Sequence, residues 1–335
     1  MTAGGDLTVR DLYVARQRLT RYLPPTPLRF SDWLSAASGA HVSLKIESIQ
    51  PTNSFKIRGA LNAALHLHES GSRSPIVTAS AGNHGRAIAF AAARLGLAAT
   101  VFTPATAPAT KKSAIRQFGA ILRDDPPDYD AAEQAARDYA QASGGLYISP
   151  YNHRDVIAGA GTIALELLET APETNVVVLP LGGGGLASGV ALALKRLAPQ
   201  IEIVGVEADA SRAFSTSLAA GSITHIEVLP SIADGLVGNL EPGSITFEMV
   251  RRFVDRIVSV SEEQLLRAIG GLASEEHLIA EGAGAAATAA VIVGQAVSPD
   301  CHAVAILTGS NIDSATYAPI VSAHQTAKQG GEGRR

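Results

Sequence analysis

Residues 176–197 read VVVLPLGGGGLASGVALALKRL, and this stretch decides the fold class. An apolar, β-branched strand is predicted over Val176 to Leu179, Pro180 and Leu181 lead into the adjacent glycines Gly182, Gly183, Gly184 and Gly185, and an Ala- and Leu-rich run begins at Leu186. The uncharged part, 174–194, is about as long as a bilayer crossing requires. A membrane helix would pay about 3 kcal/mol for the central proline and about 1 kcal/mol for each glycine, so the segment reads as buried strand, glycine loop and helix start.

The same alternation extends outward in both directions. Strands are predicted over 75–79, 98–102, 121–122, 146–148 and 201–206, with an apolar run at 303–307. Helices are predicted over 86–95, 109–118, 130–142, 156–168 and 186–197. Strands alternating with helices of ten or more residues specify parallel βαβ units and an α/β fold with an open, mostly parallel sheet. Gly- and Ala-rich stretches at 221–238 and 281–290 read as close-packed backbone. The segment 326–335 has too little apolar content to pack and is expected to be a disordered tail.

Composition narrows the function. Of 335 residues, 27 are Lys or Arg and 31 Asp or Glu, a net charge of −4, which excludes a broadly basic nucleic-acid binder. Cys301 is the single cysteine, so no internal disulfide forms. The opening MTAGGDLTVR has no apolar run behind a basic head. A cytoplasmic protein with no membrane and no nucleic-acid partner is expected.

Four motifs carry chemistry. In PTNSFKIRGA, 51–60, Asn53 and Ser54 are placed to cap a helix whose first turn holds Lys56. The positive end of the helix dipole there favours a neutral amine, the form a Schiff-base lysine needs. In ASAGNHG, 79–85, small residues after a strand let backbone N–H groups converge on an anion, with Asn83 and His84 as side-chain donors. In LGGGGL, 181–186, the glycines can wrap a phosphate at a helix N-terminus. An alternative is open there: Gly182, Gly184 and Ala187 fit a loose G-x-G-x-x-A, with Glu207 placed to hold a ribose. In LTGSN, 307–311, the Thr308 hydroxyl ends a strand and can reach the crevice where open α/β sheets bind ligands. The nine histidines show no zinc-site spacing, and no G-x-S-x-G elbow is present. Glu281 and the pair Glu275–Glu276 are candidate acid or metal groups, the pair reading better as a solvated helix face.

In this order, the motifs SFKIRGA, SAGNH, GGGG and TGSN resemble the threonine dehydratase/serine racemase family of pyridoxal-phosphate enzymes, which has the tryptophan synthase β-like fold. VIAG at 156–159, Gly161–Thr162 and ADG at 233–235 extend the resemblance, which displaces the dinucleotide reading because the latter leaves Lys56 and Asn83 unexplained. It implies a lyase for L-threonine or L-serine, or for another β-substituted amino acid, with a β-replacement synthase as the alternative class. It implies two open twisted sheets flanked by helices. A large cofactor-binding domain would span 1–74 and 151–325, with a small mobile domain over 75–150. Lys56 would form the Schiff base and Phe55 would flank the cofactor ring. Asn83 would bond its phenolic oxygen. Gly182, Gly183, Gly184, Gly185 and Leu186 would wrap its phosphate, and Thr308 would meet its pyridine nitrogen. Ser80, Ala81, Gly82, Asn83 and His84 would receive the substrate carboxylate, with Gly235 lining the substrate side. A homodimer or homotetramer is implied.

The departures from the family pattern are specific. Ala81 stands where the racemase branch has a serine base, so little racemisation is expected. Thr52–Asn53 replaces the common Thr-Gly, which is expected to alter the substrate side of the pocket. Glu207 is followed by Ser211 and Ala213, which do not complete the family's metal site. Glu281–Gly282 stands where many relatives have Glu-Pro. The chain ends soon after Thr308, which leaves no room for the regulatory domain of biosynthetic threonine dehydratases, and feedback control by isoleucine is not expected.

Overall fold

The computed structural model describes residues 6–80 and 82–332, the side chains of 329–332 apart. The strands are β1 (Leu28–Phe30), β2 (His41–Ile46), β3 (Ile76–Ala79), β4 (Ala99–Phe102), β5 (Ile121–Arg123), β6 (Leu146–Tyr147), β7 (Val176–Pro180), β8 (Glu202–Ala208), β9 (Arg256–Val260) and β10 (His302–Leu307). They form a six-stranded sheet, β1-β2-β10-β7-β8-β9, and a four-stranded sheet, β5-β4-β3-β6. Every pairing is parallel except β1 with β2. The α/β class and two mostly parallel sheets expected from the sequence are therefore present. Buried parallel strands read as unbroken apolar runs, as in β7 and β10.

The helix that begins with Lys56, Lys56–Glu69, is locked to the glycine-loop helix through an intermediate, Arg154–Thr170. Where the first two helices touch, a Cβ on Gly59 would lie 2.7 Å from the Val156 carbonyl oxygen, and one on Gly159 would overlap that of Arg58. At the second contact, with Gly185–Leu197, a Cβ on Gly161 would lie 2.7 Å from the Gly189 oxygen, and one on Gly189 would overlap that of Ile157. Backbones this close leave little freedom in the distance between Lys56 and the glycine loop.

A buried charge cluster braces the same helix. Arg58 donates to both Glu47 oxygens at 2.8 Å and to Glu166 at 2.6 and 3.0 Å. Lys45 donates to Glu166 at 2.6 Å, and the Thr26 hydroxyl to Glu47 at 2.5 Å. All five side chains are buried. Burial alone would lower the Arg58 pKa, but Glu47 and Glu166 raise it.

Several expectations need correction. Ser54 and Asn53 do not cap the lysine helix: its N-cap is Phe55, with no side-chain cap. Asn53 instead adopts the left-handed conformation, φ 57°, that asparagine tolerates better than most residues. A glycine would adopt that conformation equally well, so the Thr-Gly of the family pattern and the Thr52–Asn53 present are compatible with one backbone. Glu276 is buried rather than solvated, accepting from Arg29 at 2.7 Å and from the Ser31 hydroxyl. The expected disordered tail is helical as far as it is described: Ser314–Glu332 is one helix, pinned by Lys328 donating to Glu275 at 2.6 Å. A helix anchored along its earlier turns propagates at the low cost of one residue at a time.

Candidate active site

The predicted residues gather where the C-terminal ends of β3, β7 and β10 approach the start of the lysine helix. A bridge between Ser54 and Gly309 and the bond from Phe55 N–H to the Thr308 carbonyl, 2.9 Å, tie the SFK segment to the end of β10. The Lys56 amine donates to the Pro150 carbonyl at 2.9 Å and lies 5.3 Å from the Phe55 ring centroid. Burial pushes its pKa down to about 8, with Glu281 acting against that shift. A substantial neutral fraction is therefore present near physiological pH.

Gly184 closes the glycine loop as the N-cap of Gly185–Leu197, in the left-handed region at φ 83°. Every glycine of the loop is crowded. A Cβ on Gly182 would lie 3.0 Å from Leu236 Cα, one on Gly183 would overlap the Tyr151 ring, one on Gly184 would lie 2.6 Å from Phe214, and one on Gly185 would lie 3.0 Å from Tyr151 Cα. Thr246 donates to the Gly183 carbonyl at 2.9 Å, which turns that oxygen away from an anion site. Leu186 is buried in the first turn.

Asn83 begins the helix Asn83–Leu95 after the turn from β3. Its amide donates to Glu281 Oε1 at 2.5 Å, and its oxygen accepts from Asn311 at 2.6 Å. Arg86 in turn donates to the Asn311 oxygen at 2.6 Å. A chain of hydrogen bonds thus runs from a guanidinium through two amides to a carboxylate. Burial raises the Glu281 pKa to about 7, partly offset by the Asn83 bond. One Asn83 N–H bonds Glu281, and the other can meet a cofactor oxygen.

His84 departs from its predicted use as a side-chain donor. Its Nε2 faces the Ile148 carbonyl at 3.3 Å within the protein. Burial and the neighbouring Lys56 lower its pKa to about 3, so the ring is neutral. The turn keeps Ser80, whose hydroxyl accepts from Gly82 N–H at 3.2 Å; Ala81 lies outside the described residues. Gly235 is exposed beside the glycine loop, its carbonyl facing Gly182. The dinucleotide alternative fails at Glu207, whose carboxylate accepts from Phe214 N–H at 2.7 Å and from Ser215 in the first turn of Ala213–Ala220. No group of three or more metal-ligating side chains occurs among the described residues.

Sequence reading missed Tyr151, Pro150 and the role of Glu281. No motif marks the first two, which reach the site only because the chain after β6 folds across it. Gly282 has a local cause: a Cβ there would overlap the Ile232 carbonyl, so the 232–236 segment packs where a larger residue would stand.

A half-buried lysine, its amine bonded to Pro150, with the adjoining Tyr151 packed on a glycine loop at a helix N-terminus, in a fold of two mostly parallel sheets, suits an enzyme that holds a phosphorylated carbonyl cofactor. The chain belongs to the pyridoxal-phosphate-dependent enzyme family, whose model matches residues 19–309. The L-threonine ammonia-lyase of Thermotoga maritima is 39% identical over 307 residues, 92% of this chain and 76% of that protein. A solved threonine deaminase from T.th. superposes with TM-score 0.84 at 37% identity, covering 91% of this chain and 99% of that one. Maize serine racemase gives TM-score 0.87 at 31% identity, covering 96% and 99%.

The residues present fit pyridoxal phosphate. The glycines leave backbone N–H groups at a helix N-terminus that any Cβ would crowd. The Thr308 hydroxyl has only a long contact, 3.5 Å to the Ala283 carbonyl, and is available to a ring nitrogen.

Proposed function

We propose that the protein is an ammonia-lyase that converts L-threonine, and L-serine as a smaller substrate, to a 2-oxo acid and ammonia by β-elimination. One observation carries the reading: the buried Lys56 amine, its pKa lowered to about 8, donates to the Pro150 carbonyl, and the next residue, Tyr151, packs against the glycine loop. The sequence similarity to threonine ammonia-lyases over most of the chain supports the substrate class. Pyridoxal phosphate supplies the electron sink that makes the amino acid's Cα–H acidic. Gly182, Gly183, Gly184, Gly185 and Leu186 would hold the phosphate, Asn83 and Thr308 would orient the ring, and Phe55 would flank it. The Lys56 amine would serve as the general base that takes the Cα proton. Thr308, a neutral hydroxyl, would not hold a ring nitrogen protonated as a carboxylate would. Ser80, Ala81, Gly82, Asn83 and the backbone of His84 receive the substrate carboxylate, and Gly235 lines the side-chain pocket.

The segment 75–150, which contains the four-stranded sheet, acts as a mobile domain over the large one formed by 1–74 and 151–325. The half-exposed Phe30, Ile49 and Ile279 support self-association as a dimer or tetramer. The lone Cys301 suits a cytoplasmic enzyme, and no described helix is long and apolar enough to cross a membrane.

Purified protein with added cofactor is expected to release 2-oxobutanoate from L-threonine, and Lys56→Ala to release none. Release only from another β-substituted amino acid would move the substrate. Capture of an added thiol in place of oxo-acid release would move the class to β-replacement. Ala81 has no proton-transfer group, so chiral analysis of L-serine reactions is expected to show pyruvate with only trace D-serine. A D-serine yield comparable with pyruvate would overturn that part.

A further inference from the structure

Lys56 finds its acceptor on residues 149–152, a strap between β6 and the helix Arg154–Thr170, and one carboxylate holds that strap on both sides of Pro150. Glu241 Oε1 accepts from the Ser149 hydroxyl at 2.6 Å, and Oε2 from the Asn152 amide at 2.9 Å. The backbone N–H of Glu241 donates to the Tyr151 phenol oxygen at 2.8 Å. The Asn152 oxygen accepts from Ile245 N–H at 3.1 Å, and Ser149 also receives Asn152 N–H at 3.1 Å. Pro150, between these anchors, presents its carbonyl to the lysine amine. The Tyr151 ring lies where a side chain on Gly183 would have to go, and the Tyr151 backbone and Cβ crowd the position a side chain on Gly185 would take. The same strap therefore sets the lysine and floors the phosphate loop.

Glu241 is also tied across the cleft. Arg137, on the helix Tyr129–Ser143 beside the four-stranded sheet, donates to Oε2 at 2.7 Å. Arg137 is itself held by Glu133 at 2.6 Å and lies 4.3 Å over the Tyr147 ring centroid. Glu241 is only 9% exposed, whereas Arg137 is 42% exposed. Charge-assisted bonds to a shielded carboxylate are short and directional, so they fix position better than neutral contacts do.

We propose that Glu241 is a positioning residue for Lys56: it fixes the 149–152 strap that receives the lysine amine, and Arg137 makes that fixing depend on the docking of the small-sheet side. The inference rests on Lys56 as the cofactor-bearing amine. It adds a group outside the four motifs, whose carboxylate bonds Ser149, Asn152 and Arg137.

The test uses the cofactor-loaded enzyme and the variants Glu241→Gln, Ser149→Ala and Arg137→Met. Misplacing a reacting group by about 1 Å costs up to about 100-fold in rate, so Glu241→Gln is expected to lower kcat by about 10- to 100-fold. Its KM is expected to stay within about threefold, because the substrate-binding groups are untouched. The visible absorption band of the loaded enzyme is expected to shift, reporting a displaced lysine. Ser149→Ala and Arg137→Met are expected to move kcat and the band in the same direction, by less. A Glu241→Gln protein with wild-type kcat and band, or with only reduced thermal stability, would overturn the proposal. If Glu241→Gln does not fold, the same readouts on Ser149→Ala decide it. Failure of the underlying reading looks different, since the wild type would then show neither the cofactor band nor lyase turnover.

Discussion

The two sheets hold their shares of the site by different physics. On the six-stranded side, the buried helix Gly282–Ile292 packs against the sheet. Interlocked glycines and a buried charge cluster fix the lysine helix against the phosphate-loop helix. On the four-stranded side two apolar clusters are small, one of Val77, Ala79, Phe102, Ala132, Ala136 and Ala140 and another of Ala89, Val101 and Ile115, while a larger one joins Ile76, Ile88, Ala91 and Ile148 to Ile57, Leu61 and Leu65 of the lysine helix. Many of its attachments across the cleft are polar: Lys111 to Asp234, Thr110 to Asp313 at 3.0 Å, Arg86 to Asn311 at 2.6 Å and Arg137 to Glu241 at 2.7 Å. Partly exposed polar pairs contribute about 1 kcal/mol or less each, and water replaces them readily. The contrast places backbone contacts that cannot relax around the lysine helix, and exchangeable polar pairs where the four-stranded side meets residues 234–313.

Breaking the rigid side should have the largest effect. Arg58→Met leaves Glu47 and Glu166 buried without their guanidinium, a loss of about 3–5 kcal/mol, measured by urea denaturation of the cofactor-free protein. A loss below about 1 kcal/mol would show that the cluster is solvated. Gly159→Ala or Gly189→Ala forces two helix backbones apart and is expected to cost about 1–3 kcal/mol. Either variant should also weaken cofactor affinity, read by equilibrium dialysis, because the lysine and phosphate loop separate.

On the exchangeable side, Arg137→Met should change the unfolding free energy by less than about 1 kcal/mol, so its kinetic effect should exceed its effect on stability. Comparable stability losses for Arg137→Met and Gly189→Ala would erase the distinction between the two sides. The smallest expected effect concerns pH. Cofactor capture by the free protein needs neutral Lys56, so its rate should rise with pH and level off above about 8. Glu281 raises the Lys56 pKa, so Glu281→Gln should move the midpoint to lower pH. Stopped-flow absorbance on both proteins checks the sign, because the cofactor's own titration cancels between them.

Much of this contrast was legible in the sequence, but unevenly. The strand–glycine–helix segment at 176–197 and the four motifs are local patterns, readable without knowledge of their tertiary partners. Hydrophobic periodicity placed β3, β4, β7 and β8 within about two residues of their observed bounds, the usual uncertainty for element ends. It did not locate β1, β2 or β9, whose short runs carry polar residues at one end or throughout. Glu276 looked solvated because Arg29 and Ser31, which bury it, lie far away in the chain. Glu281, Pro150 and Glu241 act through partners on distant segments, and no spacing rule reports such a meeting. His84 and Ser54 were misread because a cap or donor role was inferred from local position, while tertiary packing aimed the side chains elsewhere.

The central claim is that Lys56, and no other lysine, carries the cofactor. Borohydride reduction of the pyridoxal-phosphate-loaded protein, followed by peptide mass spectrometry, tests it directly. The account predicts one phosphopyridoxyl group per chain, on the peptide containing Lys56, and none in Lys56→Ala. A label on Lys45, Lys111 or Lys112, or no stable label on a protein shown to bind the cofactor, would contradict it.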